Sequence, residues 1–339
     1  MCTCSAPPKL TANDLLSITD LTRDEIAMIL ETAQQMKRRP EQYSNAMMGR
    51  CMALFFEKPS LRTRVSFELG FAKLGGRAIY LDQQGVRMGE RESVSDCAKN
   101  LERWTDVIVA RTYLHETICE LAQAADVPVI NALSDQFHPC QALADVLTLA
   151  EQFGDHHWPD VGLAYIGEGN NVCHSLMLIA ATIGMRLTII TPAGSEPAPH
   201  VTMVARELAK HSEATINVTN DLDAVRQHDV VYTDTWTSMG SEAVDDDCLK
   251  AFEAYQINAR VMALAGEQSV FMHCLPAKRG REVTAEVIDS PRSIVFDQAE
   301  NRMHAQNALL VHLLSPGQKP DISIRPTATH ASTVPSESH

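Results

Sequence analysis

The apolar residues of the first half fall into short runs separated by stretches of helical spacing. Cys51 to Phe56 is a continuous apolar run with the length of a buried strand. The turn Glu57-Lys58-Pro59-Ser60 follows, and Thr63 to Leu74 carries apolar positions at helical spacing until Gly75-Gly76 stops it. Ala78 to Leu81 and Val107 to Ala110 predict strands, with a helix from Val94 to Trp104 between them, and another strand ends at Val129-Ile130-Asn131. Pro139 to Phe153 predicts a helix stopped by Gly154. Ahead of these, Leu15 to Met36 predicts one or two amphipathic helices, with Asp20 and Thr22 as caps and Pro40 beyond the end.

The second half repeats the alternation. Strands are predicted at Val161 to Ile166, Arg186 to Thr191, Val230 to Thr233 and Val270 to Met272. Helices are predicted at Asn171 to Gly184 and Val201 to His211. Strand and helix alternating over the whole length predict an α/β fold of two doubly wound parallel-sheet domains. The expected boundary lies near residues 150–160, giving units 1–150 and 151–298. A last helix, Ala299 to Leu314 within 299–315, follows all the strands and is expected to return to the first domain. Residues 316–339 are rich in Pro, Ser and Thr with little apolar content, which predicts a disordered tail.

Composition narrows the function classes. A length of 339 residues suits about two domains, and 45% apolar with 21% charged residues is ordinary for a globular chain. No apolar run reaches the ~20 residues needed to span a bilayer. Met1 to Leu10 lacks an apolar core behind a basic start and is not Arg-rich, so the expected location is cytoplasmic. The net charge of −14 argues against nucleic acid and membrane as partners. An anionic substrate would therefore need positive charge concentrated at its site. Nine cysteines without a Cys-x-x-Cys pair predict neither structural zinc nor a disulfide framework.

Six segments carry candidate chemistry. Lys58, Ser60, Arg62, Thr63 and Arg64 put two hydroxyls and three cations between a strand and a helix N-terminus, where free N–H groups and the dipole favour phosphate; the bland alternative is a solvated basic turn capped by Ser60. His138 and Gln141 lie three apart behind Pro139 and can face one small carbonyl-amide ligand, or His138 merely caps the helix while Asp145 pairs on its surface. Gly167-Glu168-Gly169 follows a strand as in a dinucleotide fingerprint. However, Val172 stands at the third glycine position and Thr191-Pro192 where an acidic residue is expected. A nicotinamide-dependent oxidoreductase is thus the alternative from a different class, with two of its marks missing. Asn170 and Asn171 could grip a carboxylate or amine, or simply cap the helix. Asp234 to Gly240 and His273-Cys274-Leu275-Pro276 lie at strand ends, where open α/β sheets bind ligands; Cys274 could equally be an inert core thiol. Arg302 is expected near the start of the last helix, where the dipole disfavours a cation, so an anionic partner is predicted.

In this order the segments resemble the aspartate/ornithine carbamoyltransferase family over about residues 10 to 315. Ser-x-Arg-Thr-Arg and His-Pro-Cys-Gln resemble the whole family; Asp-x-Trp-x-Ser-Met-Gly and His-Cys-Leu-Pro resemble its ornithine branch. The resemblance implies transfer of the carbamoyl group of carbamoyl phosphate to the side-chain amine of L-ornithine, giving L-citrulline, with no cofactor and no metal. It assigns carbamoyl phosphate to Ser60, Leu61, Arg62, Thr63, Arg87, Arg111, His138, Gln141, Cys274, Leu275 and Arg302. It assigns ornithine to Asn171, Asp234, Ser238 and Met239. Arg111, His138, Asp234, Cys274 and Arg302 are the expected catalytic residues. Leu61 departs from the family loop, which usually carries threonine there, so one hydroxyl is lost. The resemblance also implies a homotrimer, or a multiple of trimers, in which Arg87, Gln83 or Gln84 reaches a neighbour's site. A ligand-sensing, non-catalytic homologue is the non-enzyme alternative.

Overall fold

A computed structural model describes residues 8–82, 89–90, 92–154, 158–236 and 246–315. Among these residues, nine strands form two parallel sheets. The first holds β1 (Cys51–Phe56), β2 (Arg77–Asp82), β3 (Val107–Arg111) and β4 (Val129–Leu133), in the order β2-β1-β3-β4. The second holds β5 (Gly162–Ile166), β6 (Arg186–Ile190), β7 (Thr215–Thr219), β8 (Val230–Thr233) and β9 (Val270–His273), in the order β7-β6-β5-β8-β9. The chain is α/β and doubly wound, as the alternation predicts. Eleven α-helices connect the strands among the described residues: α1 (Arg23–Arg38), α2 (Leu61–Lys73), α3 (Val94–Leu101), α4 (His115–Ala124), α5 (Pro139–Phe153), α6 (Asn171–Ile183), α7 (Pro199–Ala209), α8 (Asp246–Glu253), α9 (Ala259–Ala265), α10 (Ala285–Ile288) and α11 (Val295–Leu314).

Strand periodicity divides the core. Met52, Leu54 and Phe56 of β1, with Leu163 and Tyr165 of β5, face a shared layer containing α1, α5, α6 and α11. On the far face of the first sheet, Ile108 and Ala110 of β3 pack with α3 and α4. On the far face of the second, Ala164 and Ile166 of β5 pack with α9 and α10. The strands other than the edge strands β2 and β7 are buried on both faces, which is why several read as continuous apolar runs. Helix α11 packs against α1, α2 and α5, so the last helix lies on the helices of the first sheet.

Several boundaries differ from the sequence pattern. Leu15 does not begin a helix; it bridges to Ile130 beside the edge strand β4. Asp20 belongs to a short 3-10 turn capped by Ser17, whereas Thr22 and Glu25 form the capping box of α1. Helix α11 begins at Val295 rather than Ala299, with no side-chain cap to announce it. Helix α4 and strand β7 had no counterpart in the predicted elements. No helix among the described residues is long and apolar enough to cross a membrane.

Candidate active site

The order of each sheet fixes where a site can form. Strand β1 connects to β2 on one side while β3 lies on the other; β5 likewise has β6 and β8 as neighbours. At such switch points the loops leave in opposite directions and open a crevice beyond the strands' carboxyl ends. A cavity of about 680 Å³ lies there, lined by residues that follow β1, β3, β4, β5, β8 and β9.

One wall is basic. Ser60 caps α2, its Oγ accepting from the Thr63 N–H at 3.3 Å. Arg62, in the first turn of α2, lines the cavity half-buried. Leu61 stands at the rim with its side chain exposed, while Arg64 turns away, stacked over Tyr80 and paired with Glu68. Arg64 thus adds no charge to the cavity, because it projects from the helix's opposite side. Lys58 lines the cavity instead, its ammonium 4.1 Å above the Tyr113 ring. Arg111, the last residue of β3, is buried; burial first, then Arg302 and Arg62, push its guanidinium down to about 9.

Arg302 does not sit at a helix start. It lies two turns inside α11, fully enclosed, and its partners are neutral: Nη1 donates to Gln141 Oε1 at 3.0 Å and Nη2 to Thr63 Oγ1 at 2.9 Å. The predicted anionic partner is absent from its hydrogen bonds because the helix begins a turn earlier than expected. The dipole argument therefore does not apply. Burial lowers the Arg302 pKa as well.

His138 and Gln141 do converge on the cavity. The His138 N–H donates to Ser175 Oγ at 2.8 Å, while its side chain makes no cap hydrogen bond. Burial first, then Arg302 and Arg111, hold this imidazole well below its ordinary 6.5, so it is neutral. Asp145 does not pair on a surface; it is completely buried beneath Gln141.

The opposite wall comes from the second sheet. Asp234, just past β8, accepts from Cys274 Sγ at 2.9 Å, Asn170 Nδ2 at 2.9 Å and its neighbour's Thr235 N–H at 2.7 Å. Burial and then Asp234 push the Cys274 thiol well above its ordinary range, so it stays protonated and donates. Leu275 lines the cavity too, in left-handed backbone with its N–H donating to His273 Nδ1 at 2.9 Å. Asn171 opens α6 and donates to the Ser134 carbonyl at 2.6 Å, while Asn170 caps the helix. Ser238, Met239, Arg87, Gln83 and Gln84 lie outside the described residues, as does the 316–339 tail.

The glycines after β5 have a packing role. A Cβ on Gly169 would fall 2.2 Å from the Pro197 nitrogen, so the close approach is to the chain's own backbone. Asp234, His273 and Cys274 bring ligand-type atoms within 4.8 Å of one another. Yet both His273 nitrogens are engaged, Nδ1 by Leu275 and Nε2 by the buried Glu282. Sequence reasoning missed Glu168 and Lys278 as lining residues. Glu168 stood inside the Gly-x-Gly segment, and Lys278, two residues past Pro276, gave no pattern to find; Lys58 lines the cavity as its place among the cations of the phosphate segment predicted.

Two family models match: the carbamoyl-P binding domain of aspartate/ornithine carbamoyltransferase over residues 13–151, and the Asp/Orn binding domain over 159–313. The chain belongs to the aspartate/ornithine carbamoyltransferase family. Among similar carbamoyltransferases, the ornithine carbamoyltransferase of Shewanella oneidensis is 52% identical over 300 residues, covering 88% of this chain and 99% of that one. The one from Moritella abyssi is 48% identical over 301 residues, covering 89% and 99%. The solved ornithine carbamoyltransferase of Pyrococcus furiosus superposes with a TM-score of 0.86 at 44% identity, covering 90% and 98%. A carbamoyltransferase must stabilise negative charge on a carbonyl oxygen and a leaving phosphate, and the basic wall answers that need.

Proposed function

We propose that this chain transfers the carbamoyl group of carbamoyl phosphate to the side-chain amine of L-ornithine, giving L-citrulline and phosphate. The observation that carries the reading is the convergence of Arg62, Arg111 and Arg302 on one cavity of a protein whose net charge is −14. Ser60, Leu61, Arg62 and Thr63 hold the phosphate through the α2 N-terminus and their side chains. Arg111, His138 and Arg302 donate to the carbamoyl oxygen, and Gln141, with the backbone at Cys274 and Leu275, holds the carbamoyl nitrogen. Asn171 and Asp234, together with Ser238 and Met239, take ornithine.

The chemistry follows from these placements. The neutral amine attacks the carbonyl carbon and a C–N bond forms. The carbonyl π electrons move onto oxygen, toward the fixed guanidiniums. As the carbonyl reforms, the C–O bond to phosphate breaks, and the phosphate leaves into the basic wall with its electron pair, taking up the proton that the attacking nitrogen sheds. A neutral His138 can donate one N–H to the oxyanion without adding a fourth cation. Because Cys274 is a protonated thiol bound to Asp234, it orients that carboxylate toward the amine and forms no covalent intermediate. Holding both substrates in line supplies much of the rate.

In the same reading, residues 1–150 bind carbamoyl phosphate, 151–298 bind ornithine, and 299–315 return to the first unit. The enzyme works in the cytoplasm as a homotrimer or multiple of trimers. Supporting the trimer, Leu61, Val65 and Leu69 form an exposed apolar stripe on α2, and Ile79 is exposed on the neighbouring edge strand β2. The test is citrulline formation by the purified protein from carbamoyl phosphate and ornithine, with aspartate, putrescine and N-acetylornithine as rival acceptors. No citrulline, or faster turnover of a rival, refutes the reading.

A further inference from the structure

The buried face of Gln141 carries a carboxylate that the chemistry above does not use. Asp145, one turn further along α5, has no exposed surface. It is the only charged residue between Pro139 and Ala150, a stretch otherwise packed among apolar side chains. Three donors converge on it. Gln141 Nε2 and Gln298 Nε2 reach Oδ1 at 2.8 and 2.7 Å, and Tyr232 OH reaches Oδ2 at 3.2 Å. Gln298 Nε2 also donates to Tyr232 OH at 3.1 Å, and its Oε1 accepts from the His273 N–H at 2.9 Å. The network therefore joins α5, β8, β9 and α11.

Burying a carboxylate costs stability even when it is well bonded, so stability is a poor reason for this one. Its neighbours suggest a better reason. A primary amide can face either way, and only its surroundings decide which end points where. An ionised Asp145 can only accept, so it fixes Gln141 Nε2 on its own side. Gln141 Oε1 must then point the other way, where Arg302 Nη1 donates to it at 3.0 Å at the edge of the cavity. The amide is thus held between an obligatory acceptor and an obligatory donor.

We propose that Asp145 is a positioning residue, which fixes the amide of Gln141 so that its carbonyl oxygen faces the cavity as an acceptor for the carbamoyl –NH2. The selectivity of the site for an amide-bearing acyl phosphate then depends on a carboxylate that never touches it. This inference rests on the reading of Gln141 as the carbamoyl-nitrogen contact. Among the described residues, the charged or titratable groups facing Asp145 are Tyr232, Arg302 and Cys274. Burial pushes the Asp145 carboxyl up to about 7, against the pull of its three hydrogen bonds, so the acceptor-only form prevails above that pH and binding is measured near pH 8.

The test compares carbamoyl phosphate with acetyl phosphate, which has a methyl group where the carbamoyl nitrogen stands. Dissociation constants of both, and of inorganic phosphate, are measured by calorimetry on full-length protein without ornithine. In Asp145→Asn the new amide presents a donor to Gln141 or Gln298, and Gln141 loses its fixed orientation. The preference for carbamoyl over acetyl phosphate should fall about tenfold, the size of one directed hydrogen bond, while inorganic phosphate binds nearly as before. In a Gln141→Ala background, Asp145→Asn should change the preference no further. A role confined to stability would shift the unfolding midpoint and leave the preference alone. If the Asn variant does not fold, the wild-type preference is compared near pH 8 and near pH 6, where Asp145 gains a proton and can itself donate; it should fall about threefold toward the lower pH and stay flat in Gln141→Ala. An unchanged preference in the folded Asn variant, or in the wild type between those pH values, overturns the proposal. A wild-type protein with no preference for carbamoyl over acetyl phosphate overturns the reading of Gln141 itself, and the proposal with it.

Discussion

Arg302→Met separates what this guanidinium does for catalysis from what it does for the fold. In the ligand-free protein Arg302 is a buried cation beside two others. Arg111 has been pushed down to about 9, by burial first and by Arg302 next. Burial, the larger cause, stays when Arg302 is replaced, so only the repulsion between the two guanidiniums is relieved. Replacing Arg302 by methionine removes that neighbour and also the several kcal/mol of desolvation that a buried cation carries. Against this stand the two hydrogen bonds to Gln141 and Thr63, whose loss leaves acceptors unpaired at about 1–3 kcal/mol each. The terms nearly cancel, so the free variant should unfold at or above the wild-type midpoint. Turnover should nevertheless drop about 10²–10³-fold, as for the loss of one oxyanion donor. Carbamoyl phosphate at a hundred times its wild-type dissociation constant should stabilise the wild type by about 2.7 kcal/mol, and the variant clearly less. Calorimetric scans with and without ligand, beside a citrulline assay, read all three quantities. A free variant destabilised by more than about 3 kcal/mol that still shows the full ligand-induced rise would refute this account of the basic wall.

Arg62→Ala should fold normally and weaken carbamoyl phosphate by about 1.5–3 kcal/mol, the range for a charged hydrogen bond, because Arg62 is half-buried rather than enclosed; near-normal affinity by calorimetry contradicts it. His138 should show no imidazole titration by NMR between about pH 5.5 and 8, since burial and two guanidiniums hold it neutral. The unfolded chain binds that proton below about 6.5 while the folded one does not, so this residue should make stability fall with pH there, by up to about 1.4 kcal/mol per unit. A histidine signal that titrates near 6.5 and is lost in His138→Gln would contradict the assignment. For the proposed trimer, a loop variant (Arg87→Ala with Gln83→Ala and Gln84→Ala) and Arg111→Ala should each be nearly inactive. An equal mixture, unfolded and refolded together, should regain roughly a quarter of the sites; no recovery sinks the shared-site idea.

The site was legible in the sequence because its polar residues stand at the ends of apolar runs. Asp234 and Cys274 end strands buried on both faces, and Thr63 and Arg62 open a helix straight after one. Where tertiary packing replaced local signals, the sequence was silent. Strand β7 alternates exposed and buried residues at a sheet edge and has no apolar run. Helix α4 follows Leu114, which offers no capping side chain. The same lack of a cap at Ile294 hid the first turn of α11 and misplaced Arg302 along the dipole. Asp145 could be seen but not understood, because two of its three donors, Tyr232 and Gln298, come from 87 and 153 residues away.

Helix α11 also sets the order of events during synthesis. It packs on α1, α2 and α5 and places Arg302 against Thr63, which the ribosome made 239 residues earlier. Domains usually close as they emerge, N-terminal part first. Here the first sheet's helical layer stays open, with apolar surface bare and the anion pocket short of one cation, until nearly all the described chain has been made. A chain cut before Val295 would hold every residue that follows β1 and β3 yet lack the piece that assembles them, so truncated products would be inactive and prone to aggregate.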